Sequence, residues 1–270
     1  MAVRETSVNE NMLALLCIVV ISVLGFVGNG LSLHITTTNS NFQNAYGILC
    51  TAVLLCNIQT ISIIMIWGAI VLLTNSRELS SPTSFIALIP GCLANVSLYG
   101  SLLLNLLISV NRYYAFAFPL KYHCFWSTGK ARRAGIIAYF LGFLPCFPSL
   151  FGKVLAKPCS LIFNTELDFR WSYSDTACGY INSMFDTAIT TSTLIITGCI
   201  NFSTEVKQLM VNSSTKRKYD IFFFKQSCIG GITMIISALV FNIGQKVLTN
   251  KWALFAVTTI GWEMAHVLDG

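Results

Sequence analysis

Asn111-Arg112-Tyr113-Tyr114-Ala115-Phe116-Ala117-Phe118-Pro119-Leu120-Lys121-Tyr122 follows an uncharged apolar run from Leu102 to Val110. An arginine at the foot of a long apolar helix is costly to place in lipid. It is tolerated at the membrane surface, or where it has a task inside a helix bundle. The tyrosines beside it suit the headgroup level, and Pro119 stops the helix. Two readings compete. In one, Arg112 is an interfacial anchor whose head snorkels to water. In the other, it is a switch residue at the cytoplasmic end of a signalling helix. The rest of the chain has to decide.

Of the 270 residues, 54% are hydrophobic and 10% are charged, and the mean hydropathy is +0.69. A soluble domain carries about 25% charged residues, so the solvent implied for this chain is a bilayer. The net charge of +6 is modest. The basic residues fall in two main clusters, which fits membrane topology better than nucleic-acid binding. Of 10 cysteines, most lie in apolar runs (Cys17, Cys50, Cys56, Cys146, Cys199, Cys228), where a reduced buried thiol is the default. Cys159 and Cys178 lie in a long polar loop, a pattern that suggests one external disulfide.

Residues 1–11 form a short polar N-terminus, expected outside, and residues 12–270 a single membrane domain. Met12 to Ile35 is about one bilayer thickness of helix. It is too long for a signal peptide and lacks a small-residue cleavage site. Around Asn29, Gly25, Gly28 and Gly30 suit close helix packing with one polar group turned inward. Further apolar runs follow at residues 46–73, 85–110, 134–151, 184–201, 221–244 and 252–270. Asn57 interrupts the second run. Pro145 and Pro148 kink or end the fourth. Residues 152–182 read as a long mixed loop and 202–218 as a basic polar one. No internal repeat is visible, which counts against inverted-repeat transporters.

Charge sets the orientation. Arg112, Lys121, Lys130, Arg132 and Arg133 follow the third run with no acid among them. Lys207, Lys216, Arg217, Lys218 and Lys225 precede or open the sixth. Positive-inside bias places both loops in the cytosol. The fold class expected is therefore all-α: a seven-transmembrane helix bundle with the N-terminus and the cysteine loop outside. Sequons at Asn95, Asn201 and Asn212 then fall in the bilayer or on the cytosolic side, and read as chance matches.

Seven spans, an outer N-terminus and Asn111-Arg112-Tyr113 closing the third span resemble the rhodopsin-like receptors, which couple to G proteins. One branch fits more closely. Gly25 to Asn29 with Tyr46-Gly47, Ile108 to Tyr113 with Phe118 to Tyr122, and Phe223-Phe224-Lys225-Gln226 resemble nematode serpentine chemoreceptors of the Srx class. So do Asn250-Lys251-Trp252, Trp262, His266, Asp269-Gly270 and the pair Cys159 and Cys178. The resemblance implies a chemosensory receptor in the plasma membrane, including that of sensory cilia. It would detect an unidentified small molecule and signal through a heterotrimeric G protein. There are departures. Asn111 stands where rhodopsin-like receptors usually carry an acid, and Asn57 where related receptors often do, which puts an inner sodium site in doubt. The sixth and seventh spans lack Cys-Trp-x-Pro and Asn-Pro-x-x-Tyr. Members continue into a cytosolic tail, so the resemblance implies that a chain ending at Gly270 is truncated in or after the seventh span. A non-signalling remnant is thus one alternative, and a channel or transporter another.

The resemblance makes Asn111, Arg112, Tyr113 and Pro119 the switch and coupling residues. Arg112 would stay buried at rest and meet the G protein when the sixth span swings out, with Asp220 a weak candidate for its resting partner. Cys159 and Cys178 would form the loop disulfide, with Cys92 the competing partner. Tyr99, Asp186, Trp262 and Glu263 are candidates for a ligand pocket between the outer halves of the third, fifth, sixth and seventh spans. Asn29, Asn57, His266 and Asp269 are intramembrane polar groups, functional candidates by default; for Glu263 a neutral, hydrogen-bonded structural role is the alternative. The three histidines, His34, His123 and His266, lie far apart and off metal-ligand spacing. No enzyme signature occurs. No cofactor and no metal is expected; lipid, a G protein and a small molecule are the partners, with no nucleic acid.

Overall fold

The computed structural model describes residues 8–82, 84–147, 161–165, 169–173, 177–210, 236–237, 240–241, 244 and 247–270. The first helix, α1, spans Val8–Thr38. At its end Thr37 and Thr38 donate to the carbonyls of Leu33 and His34, at 2.8 and 2.7 Å, so their hydroxyls are satisfied within the helix. A 3-10 turn, Ser40–Phe42, leads to α2, Ala45–Thr74. Asn44 caps α2 by accepting from Gly47 N at 3.1 Å. A Cβ at Gly47 would fall 1.9 Å from the Phe42 carbonyl oxygen, so the turn requires glycine. Asn75, in the left-handed region at φ 47°, closes α2.

Helix α3 spans Phe85–Ala117 and carries Pro90 in its second turn. Pro119 opens a separate short helix, α4, Pro119–Phe125, at a position where a missing N–H costs nothing. Ser127 then caps α5, Thr128–Leu141, by accepting from Lys130 N at 3.3 Å. This cap starts the fourth helix six residues ahead of the apolar run that begins at 134. The helix stops before Pro145, where the chain makes a 3-10 turn at Leu144–Cys146. Helix α6, Ala177–Met210, begins inside the stretch read as loop and continues through the polar residues after Phe202. Last come α7, Lys251–Phe255, one π-helical turn at Ala256–Ile260, and α8, Gly261–Leu268. Of the expected sixth span, residues 236, 237, 240, 241 and 244 are described, and each is helical; the rest, and Asp220, lie outside the described residues.

Among the described residues four helices are long and apolar enough to cross a membrane: α1, α2, α3 and α6. Their burial is inverted relative to a water-soluble fold. Leu13, Leu16, Val20, Leu24 and Leu31 of α1 are exposed, while Ser22 and Asn29 on the same helix are fully buried. Lipid does not drive apolar faces together, so close packing and internal hydrogen bonds hold such helices to one another. Helix α3 is the central element, packing on α2, α5, α6 and the hairpin.

That hairpin was not anticipated. Strands β1, Leu161–Asn164, and β2, Arg170–Tyr173, pair antiparallel, with Leu161 opposite Tyr173 and Phe163 opposite Trp171. Phe163, Phe169 and Trp171 have no exposed surface and are the largest fully buried side chains among the described residues. They pack with Ile64, Trp67 and Phe255. Phe169 packs between Trp252 and Phe255, and Lys251 Nζ stands 3.9 Å above its ring, a cation–π contact. Thr259 donates to the Phe169 carbonyl at 2.8 Å. A Cβ at Gly91 would lie 1.9 Å from the Leu161 carbonyl oxygen, so α3 and β1 touch backbone to backbone. The hairpin caps one end of the bundle; Arg112 and α4 lie at the other.

Candidate functional site

Among the described residues, three polar places gather the candidates that the sequence singled out. The first is a cavity of about 60 Å³ beneath the hairpin. Leu161 and Tyr173 border it from the hairpin, Asn95, Leu98 and Leu102 from α3, and Asp186 and Thr190 from α6. Thr187 of α6, Trp262 and Ala265 of α8, and Ser237 and Phe241 complete the wall. Tyr99 donates to Asp186 Oδ1 at 2.9 Å, and Thr190 reaches the same oxygen at 3.4 Å. Asn95 Nδ2 donates to the Tyr173 hydroxyl at 3.1 Å, and that hydroxyl in turn stands beside Asp186. Burial pushes the acidity constant of Tyr173 well above the usual phenol value, so it remains a neutral hydroxyl. Trp262 is held edge-on by Trp171 at 6.0 Å and by Phe241 at 6.4 Å.

The second place is a seam joining α8 to α1 and α2. Ser22 donates to Glu263 Oε1. Asn29 Nδ2 donates to the carbonyls of Gly25 and His266, at 3.0 and 3.1 Å. His266 Nδ1 pairs with Asn57 Oδ1 at 2.9 Å, and Asn57 Nδ2 donates to Asp269 Oδ2 at 3.1 Å. Asn29, Asn57, Glu263 and His266 have no exposed surface. Glu263 Oε2, His266 Nε2 and Asn29 Oδ1 have no hydrogen-bond partner among the described residues.

The third place is the foot of α3. Arg112 is buried, 8% exposed, and close enough to Tyr46 and Cys50 of α2 to act on both electrostatically. Asn111 Nδ2 donates to the Tyr122 hydroxyl of α4 at 3.1 Å. Half-buried Tyr113 packs on Phe118 at 6.4 Å, and Tyr114 on Phe118 and Phe125 at 5.5 Å each. Pro119 sets where α4 begins. Lys121, Lys130, Arg132 and Arg133 are all exposed around this end.

The sequence candidates thus separate. Tyr99, Asp186 and Trp262 meet around one cavity, whereas Glu263 turns toward α1 and joins Asn29, Asn57, His266 and Asp269 in the seam. Cys92 is a free thiol. Cys159 and the side chain of Cys178 lie outside the described residues. Sequence reading did not place Asn95, Tyr173 or Ser22 at a site, and it gave no role to Tyr122; Thr190 it read only as one of several fifth-run hydroxyls able to bond within the helix or to a neighbour. Tyr173 had a usable signal: Leu161-Ile162-Phe163 and Trp171-Ser172-Tyr173 are two β-prone runs at hairpin spacing. Asn95 drew notice only as a chance sequon.

Among the described residues no group of three His, Cys, Asp or Glu side chains is placed to hold a metal ion. No curated protein matches the chain. The family model for serpentine-type seven-transmembrane G-protein-coupled chemoreceptors of the Srx class matches residues 19–270, nearly the whole chain. With apolar helices, a buried polar seam and an arginine closing the third helix, the chain belongs to the Srx family of serpentine chemoreceptors and is a multi-pass membrane protein.

Proposed function

We propose that this chain is a chemosensory receptor that takes a small molecule into the cavity beneath the hairpin and signals to a heterotrimeric G protein at the Arg112 end. The observation that carries this reading is the course of α3. One unbroken helix bears Asn95 at the cavity, Tyr99 bonded to the Asp186 carboxylate that borders it, and Asn111 and Arg112 at its foot, about 20 Å of helix away. A shift of α3 against α2 or α6 is therefore felt at both ends. The exposed basic residues at the foot favour the cytosol for that end, with the hairpin and N-terminus outside. The reading takes seven spans, α1, α2, α3, α5, α6, residues 221–244 and residues 252–270, in the plasma membrane and, for a chemosensory cell, its cilia.

Ligand binding shifts a population of bundle conformations only by its differential affinity for them. Arg112, buried at rest against α2, is the group a G protein would meet when the foot opens. Asn111, Tyr113 and Pro119 hold the local geometry. The test expresses the chain with an N-terminal tag, verifies surface delivery, and screens small organic molecules by calcium and cyclic-nucleotide responses. Arg112→Ala is expected to abolish the ligand-driven response at equal surface expression. A response of unchanged size would refute the switch.

A further inference from the structure

We propose that the cavity beneath the hairpin binds a small organic cation, a protonated alkylamine, with Asp186 as its counter-ion. The proposal rests on the reading of this cavity as the ligand site, and not on G-protein coupling. Asp186 lies on α6, a helix long and apolar enough to cross a membrane. A carboxylate at such depth is costly unless paired or richly hydrogen-bonded.

The groups around Asp186 are hydroxyl donors: Tyr99 at 2.9 Å, Thr190 at 3.4 Å, and Tyr173 beside it. Asn95 donates to the Tyr173 oxygen, which leaves the Tyr173 proton free to point at the carboxylate. Donors of this kind favour the charged form. A carboxylate offers about four acceptor sites, so three hydroxyls leave room for one more donor. Among the described residues no lysine, arginine or histidine pairs with Asp186. Among the described residues, the site thus offers hydroxyl donors to an anion and no matching cation.

The rest of the cavity specifies what that cation looks like. Trp262 and Phe241 present aromatic surface, which attracts an ammonium group electrostatically. Leu98, Leu102 and Ala265 offer apolar surface for an alkyl tail. The volume of 60 Å³ corresponds to about four to six water-sized units, and hence to an amine with about that many non-hydrogen atoms.

The probe pair is 3-methylbutan-1-amine and 3-methylbutan-1-ol, equal in shape and different in charge at neutral pH. The purified full chain in lipid nanodiscs is titrated with each, and the midpoint of thermal unfolding is followed. The amine is expected to raise the midpoint in a saturable way. The alcohol should require a concentration higher by about tenfold or more, the factor a charge-assisted hydrogen bond supplies. Asp186→Asn should erase the preference for the amine. If that variant does not fold, the comparison on the unsubstituted chain decides alone. Equal potency of the alcohol, a retained amine preference in folded Asp186→Asn, or no saturable stabilisation by the amine would each overturn the proposal. Because binding is read without a G protein, these outcomes are independent of the Arg112 test.

Discussion

Asn111 and Arg112 sit side by side at the foot of α3, yet they turn to different helices. Arg112 is buried against α2, while Asn111 reaches Tyr122 on α4 at 3.1 Å. The amide at 111 ties the short helix that follows Pro119 to the end of α3. It carries no charge with which to hold the neighbouring guanidinium. An ionised aspartate there would accept the Tyr122 hydroxyl more strongly and add an adjacent negative charge for Arg112. Basal signalling is therefore expected to fall in Asn111→Asp, measured as ligand-free second-messenger level at matched surface expression. An unchanged or higher basal level would show that the neutral residue places no limit on the resting restraint.

The hairpin is the element whose seating is most specific. Its backbone touches α3 at Gly91 with no room for a methyl group. Phe169 holds a left-handed backbone conformation at φ 54°, which is unfavourable by about 1–2 kcal/mol for a residue with a Cβ. The surrounding Trp252, Phe255, Lys251 and Thr259 contacts offset that cost. Gly91→Ala is expected to unseat β1: hydrogen exchange across residues 161–173 should rise at least tenfold. Gly198→Ala on α6, where an added Cβ meets nothing within 4 Å, should leave the exchange unchanged. The contrast tests seating rather than helix propensity, since alanine favours both helices by about 1 kcal/mol. Two short runs of aromatic and β-branched residues announced this hairpin. The mixed polarity around them, and their position between two spans, masked the signal. The burial of Phe163, Phe169 and Trp171 was not legible from these runs, because it depends on α2, α3 and the π-helical turn closing around them.

At the scale of the molecule, the apolar runs overlap α1, α2 and α3, because lipid-facing helices advertise themselves by composition; α3 continues seven residues past Val110 to Ala117. Helix α5 starts ahead of its run and α6 continues past its own, since the residues from Thr128 to Arg133 and the polar residues after Phe202 are helical without being apolar. The division of polar residues between cavity and seam was not legible. Trp262 and Glu263 are adjacent in sequence, and only the packing of α8 shows that one meets the cavity and the other meets Ser22. The seam is a stability device of the whole bundle, so its rupture should be global. Asn57→Leu strands both His266 Nδ1 and Asp269, and each lost buried partner costs about 1–3 kcal/mol. The thermal midpoint in nanodiscs is expected to drop by several degrees and surface delivery to fall. A variant as stable as the parent chain would mean that the seam contributes nothing to holding α8.

The seam also has a consequence for biosynthesis. Ser22 meets Glu263 across 241 positions of chain, Asn29 meets His266 across 237, and Asn57 meets Asp269 across 212. At ordinary translation rates the partner of Asn29 emerges on the order of 10–50 s later. Through that interval the first two helices stand in the bilayer with Ser22, Asn29 and Asn57 short of the α8 groups they later meet. The seam is thus completed only when α8 arrives, so any chain that loses α8 leaves the first two helices without it.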